Sequence, residues 1–105
     1  WTSGANITLP ANGLYLASIA CTFQNAGTNG GIRVAQIKRV SDGLNIVEAN
    51  CTGTGGSSTD WFVPTATLPW LGTAGEQFYV NVKQTSGSTM TMFQTVVAFT
   101  LLART

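Results

Sequence analysis

The chain has no histidine, only four carboxylates and five basic side chains among its 105 residues, and two cysteines. Without histidine it lacks the commonest general base and the commonest metal ligand. Two cysteines without histidine do not complete a zinc site of the usual kind. A formal charge of +1 sets up no field for nucleic acid or anionic lipid. No stretch of eighteen apolar residues occurs, so no helical membrane span is expected. Charged residues make up 9 %, against about 25 % in ordinary soluble domains. The hydrophobic share, 44 %, is ordinary, so Thr, Ser, Asn and Gly have taken the place of charge. These shortages exclude most enzymes, and no cofactor is expected.

The length predicts one domain over residues 1–105. The chain starts at Trp1 without Met or a charged-then-apolar leader, the expectation for a processed chain or a module of a longer protein. The apolar run Phe99 to Ala103 predicts a C-terminus tied into the fold. Cys21 and Cys51 fit two readings equally. A bridge would close about thirty residues and contribute roughly 3 kcal/mol. Two buried thiols would act as small hydrophobes.

Turn signals punctuate the whole length: Asn12-Gly13, Asn29-Gly30-Gly31, Asp42-Gly43, Gly53 to Gly56, Gly72 to Gly75 and Ser86-Gly87-Ser88. Asn-Gly and Asp-Gly suit the positive φ angles of tight hairpins. Runs rich in Val, Ile, Thr, Phe and Tyr lie between them, and no window holds a 3.6-residue apolar period. The pattern predicts an all-β chain with strands near 6–9, 14–24, 32–40, 44–51, 61–71, 77–85 and 89–103. Within 32–40, the basic residues Arg33, Lys38 and Arg39 predict a solvated edge or face.

Two strands lack a polar face. Along Leu14 to Phe23, Tyr15, Ala17, Ile19, Cys21 and Phe23 alternate with Leu14, Leu16, Ser18 and Ala20. In the last run, Phe93, Val97, Phe99 and Leu101 face away from Val96, Ala98 and Leu102. The step from Met92 to Phe93 breaks the period of two, as a β-bulge would. A strand apolar on both faces needs cover on both. With no helix to spare, that cover is expected from another copy of the chain.

Ile7-Thr8-Leu9-Pro10 leading into Gly13-Leu14-Tyr15-Leu16 resembles the opening of the tumour-necrosis-factor-like and complement-head-like jelly rolls. Ala74-Gly75-Glu76-Gln77-Phe78-Tyr79-Val80 is similar to their turn into an alternating strand, with Glu76 in place of the usual Asp. Phe99-Thr100-Leu101-Leu102 is similar to their closing strand, with Leu101 in place of a Gly. The order and spacing agree over nearly the whole chain. The resemblance implies a two-sheet antiparallel jelly-roll sandwich, a homotrimer about a three-fold axis, mounted as a C-terminal head on a longer fibrous protein. It makes Tyr15, Phe99 and Leu101 candidates for trimer interface or core. Low charge and abundant Thr, Asn and Ser then favour an extracellular or virion surface, a bacteriophage fibre head or capsid decoration above all. The expected partners are the chain itself and other virion proteins.

No nucleophile motif, phosphate loop or acidic calcium loop occurs, and no metal site is expected. The carboxylates Asp42, Glu48, Asp60 and Glu76 read as turn and strand-end residues rather than as paired acids. Aromatics are the remaining ligand signal. Trp61, Trp70 and Tyr79 are candidates to stack on a host-surface glycan, which makes a carbohydrate-binding module the alternative to a structural or attachment module. Tryptophans in small sandwiches more often fill core or interface.

Overall fold

A computed structural model describes residues 4–24, 30–54, 61–85 and 91–105. All the regular structure among them is strand: β1 (Ile7–Thr8), β2 (Gly13–Gln24), β3 (Gly30–Arg39), β4 (Asn45–Thr54), β5 (Trp61–Phe62), β6 (Thr65–Gly72), β7 (Gln77–Gln84) and β8 (Thr91–Arg104). They form two antiparallel sheets. Sheet A runs β1-β7-β3-β4. In sheet B, β2 is central, with β8 on one side and β5 and β6 on the other. No helix among the described residues is long and apolar enough to cross a membrane.

Both sheets contribute to one core. Sheet B supplies Tyr15, Ala17, Ile19, Cys21 and Phe23; sheet A supplies Ala35, Ile37, Val47, Ala49 and Phe78. Alternation puts each set on one face. Trp70, Val97, Phe99 and Leu101 pack against the cluster from β6 and β8. Phe99 stacks on Phe78 with ring centroids 4.8 Å apart and meets Tyr15 edge-on at 6.4 Å. The Tyr15 hydroxyl donates to the Ala11 carbonyl at 2.8 Å, so its burial leaves no polar group stranded.

Turn chemistry holds the β3–β4 hairpin. Gly43 takes φ +69°, a conformation that disfavours a Cβ. Its N–H donates to the Arg39 carbonyl at 2.8 Å, and Asp42 Oδ1 accepts from the Leu44 N–H. Gly13 works differently from the sequence expectation. Its φ is not positive; what it needs is space, because a Cβ there would lie 2.5 Å from the Ala103 carbonyl oxygen.

Three expectations are corrected. The run 61–71 is two strands, because β5 and β6 are interrupted at Val63-Pro64; a proline has no N–H for the ladder, and Pro64 instead accepts from the Cys21 N–H. Strand β3 is not an edge: it lies between β7 and β4. Arg33 is not solvated but 0 % exposed, on the core side of β3, where its guanidinium donates to the Gly31 carbonyl at 2.8 Å. Arginine can be buried this way because its donors fork toward carbonyls while the stem packs. The β-bulge at Met92-Phe93 is present: Phe23 pairs with Met92 and Thr22 with Gln94. A second bulge lies at Leu102, between the pairs Leu14–Ala103 and Tyr15–Leu101.

Both thiols are free. Burial raises the pKa of each, offset in part at Cys21 by a hydrogen bond with Thr95 and at Cys51 by the charge of Arg33. Two thiols per chain should therefore react with a disulfide reagent in denaturant without prior reduction. In the folded chain Cys51, which is partly exposed, should react before the buried Cys21. Mass spectrometry of a labelling time course reads the order; Cys21 labelling first would contradict it, and a two-proton mass deficit in the unlabelled chain would contradict the free thiols.

Candidate functional site

The outward faces of the two sheets differ in chemistry. On sheet B the register aligns Leu14 with Leu71 and Ala103, Leu16 with Pro69 and Thr100, Ser18 with Thr67 and Ala98, and Ala20 with Thr65 and Val96. None of these positions is charged. The large aliphatics stay open to solvent in the single chain: Leu14 is 37 % exposed, Val96 51 %, Leu71 69 %, and Leu102 at its bulge 54 %. Sheet A carries Lys38, Glu48 and Lys83 on its outward face, with Gln36, Asn45, Asn50, Tyr79 and Asn81.

The three candidates for interface or core all face inward. Tyr15 is fully buried, and Phe99 and Leu101 are half-buried against the core cluster. The outward surface instead consists of Leu14, Leu16, Leu71, Val96 and Leu102. Most of these were visible as the second apolar face of the first and last strands. Leu71 was not, because the strand that β6 pairs with, β2, is not adjacent to it in sequence.

The ligand candidates are scattered. Trp70 packs edge-on against Phe78 at 6.1 Å, and the Arg39 guanidinium sits 5.4 Å over its ring. Its indole N–H donates to Glu76 Oε1 at 3.3 Å. Arg39 thus covers one face of the ring within the chain. Tyr79 stands on sheet A beside Lys38. The backbone of Trp61 pairs with Gln24 at the end of β2. The side chain of Trp61, like Trp1, Asp60 and most of the Gly53 to Ser58 loop, lies outside the described residues. Among the described residues no cluster of three metal-ligating side chains occurs.

Three carboxylates have defined partners. Glu76 joins two turns: Oε2 pairs with Arg39 at 3.3 Å, while Oε1 accepts from the Thr73 N–H at 2.8 Å. Asp42 makes a two-pronged pair with Arg39, at 3.0 and 2.7 Å. Glu48 accepts from Gln36 and Asn45. The Arg39 hydrogen bonds, with help from the Leu44 N–H, hold Asp42 down to about 2 from an ordinary 3.8. Arg39 itself is raised, first by Asp42 and then by Glu76. A carboxylate whose pKa falls on folding stabilises the fold above its unfolded value and loses that contribution as pH drops toward the folded one. Asp42→Asn keeps the acceptor for Leu44 but not the charge. It should lower the melting temperature at pH 6, with the gap to the parent closing between about pH 4 and about pH 2. A gap unchanged over that range would rule out the ion pair as its source.

Neither a protein-family model nor a curated protein matches the chain.

Proposed function

We propose that this chain is a non-enzymatic structural or attachment module that works as a homotrimer at a virion surface, a fibre head or a capsid decoration. The uncharged outward face of sheet B carries the reading. Leu14, Leu71, Val96 and Leu102 together expose aliphatic surface that a second copy would take out of water. The opposite sheet has the charged and amide-rich surface of a solvated face. Two passages of the chain support a jelly roll of the tumour-necrosis-factor-like kind: β1, β2 and β3 alternate between sheets, as do β6, β7 and β8, while β3–β4 stays a hairpin within sheet A. In that arrangement the sheet bearing the closing strand turns toward the three-fold axis. The low charge and Thr-rich composition suit a particle surface. The Arg39 guanidinium over the Trp70 ring and the indole N–H held by Glu76 weigh against the alternative of tryptophan-mediated glycan reading at that residue.

Size-exclusion chromatography with light scattering tests the assembly. The expected mass at micromolar concentration is three times that of the 11.0 kDa chain. A monomer or a dimer would overturn the trimer. Cryo-electron microscopy of a particle carrying the parent protein tests the location.

A further inference from the structure

We infer that the outward face of sheet A binds a saccharide bearing an acidic substituent. This face is opposite the one proposed to join copies, so the inference stands whether or not the chain is a trimer. Three rows of side chains cross β7, β3 and β4 in register: Tyr79–Lys38–Asn45, Asn81–Gln36–Glu48 and Lys83–Val34–Asn50.

The middle row is a fixed polar strip. Asn81 Nδ2 donates to Gln36 Oε1 at 2.9 Å, and Gln36 Nε2 donates to Glu48 Oε1. Asn45 Nδ2 reaches the same carboxylate oxygen at 3.4 Å. Gln36 is only 4 % exposed although it stands on an outward face, so its neighbours cover it and lock the strip. These bonds use neither Asn81 Oδ1 nor Glu48 Oε2. Fixed carbonyl and carboxylate oxygens suit sugar hydroxyls, which donate and accept at once, and the ordering cost is met before the ligand arrives.

The flanking rows complete the chemistry. Tyr79 adds a ring next to the strip, with an apolar face for a sugar's C–H groups and a hydroxyl at its tip. Lys38 and Lys83 stand two rows apart, roughly 13 Å along the strands. Among the described residues the ion pairs all belong to Arg39, so neither lysine has a carboxylate of its own. Two such cations beside a hydroxyl-binding strip favour a sugar acid over a neutral sugar. A peptide strand would add at the edge of β4, where it pairs with backbone and leaves the rows of side chains on the sheet face unused.

Two-dimensional amide NMR of the whole chain tests this with three probes: a hyaluronan tetrasaccharide, an oligosialic acid and, as the neutral control, chitotetraose. Both acidic probes should shift amides within 34–38, 45–50 and 79–83, saturating below ~10 mM. Lys83→Gln, at an exposed position that folding does not depend on, should weaken both by about threefold. Tyr79→Ala should weaken them further, and the parent spectrum retained elsewhere shows that the fold survives. No shift on this face with either acidic probe would overturn the inference. So would chitotetraose binding equally well, or the acidic probes shifting amides elsewhere on the chain instead of this face.

Discussion

Val96→Asp should give a folded monomer where the parent chain is expected to run as the proposed trimer. In one copy Val96 is half exposed, so a carboxylate there is solvated and costs folding no more than about 1 kcal/mol. In the proposed assembly the same carboxylate enters an uncharged face. There it meets Ala20 and a neighbouring copy, with no basic side chain in its row across β8, β2 and β6 to pair with. Symmetry repeats the charge in every copy. An unpaired charge at an interface costs several kcal/mol, and about 3 kcal/mol already weakens association about 100-fold. Leu71→Asp, at the most exposed aliphatic of the face, should do the same. Thr52→Asp, on the opposite sheet, should leave the assembly intact. Light scattering reads the mass, and thermal melts confirm that each variant is folded. Trimers persisting in both sheet B variants would place the contact elsewhere.

Gly13→Val should lower stability by ~3 kcal/mol, which for a domain of this length lowers the melting temperature by roughly 10–20 °C. A Cβ at this position would sit 2.5 Å from the Ala103 carbonyl oxygen and 2.6 Å from Leu101 Cδ1. The leucine can turn aside, but the carbonyl belongs to the ladder between β2 and β8. Moving it disturbs the pairing of Leu14 with Ala103 and the bulge that sets Leu102 outward. Gly43→Ala is the contrast. Its positive φ makes it cost about 1 kcal/mol, yet nothing lies within 4 Å of its Cβ position. A melting temperature for Gly13→Val within a few degrees of Gly43→Ala would mean that β8 yields at its end without loss.

The two sequence motifs led to different kinds of structure. Asp42-Gly43 is a turn that its own residues build, with the Asp42 carboxylate capping Leu44 and Gly43 turning the chain. Asn12-Gly13 has similar chemistry but serves distant segments: Asn12 Oδ1 accepts from the Ala74 N–H in the β6–β7 turn, and Gly13 gives way to Ala103 in β8. Local turn chemistry could be read in the first case. In the second, the partners are Ala74, 62 residues from Asn12, and Ala103 near the end of the chain, and no local rule points to them.

Arg33 marks the same boundary. Alternation correctly put it on one face with Ala35, Ile37 and Arg39, but its charge suggested that this face was wet. Only the pairing of β3 between β7 and β4 made that face the core side. Arg39, on the same face, escapes burial because it lies at the sandwich's end, where it ties Asp42, Glu76 and Trp70 together.

From the sequence alone came the all-β class, most strand positions, the bulge at Phe93 and the lack of a polar face on the first and last long strands. These depend on side-chain alternation and turn residues, which act over two to four positions. The tertiary structure decided which apolar face is core and which is outward, turning Tyr15, Phe99 and Leu101 inward and leaving Leu14, Leu71, Val96 and Leu102 outside. It also brought Asn81, Gln36 and Glu48 into one row. Such choices depend on which strands pair across long stretches of chain, and strand order is settled by the packing of the whole sandwich.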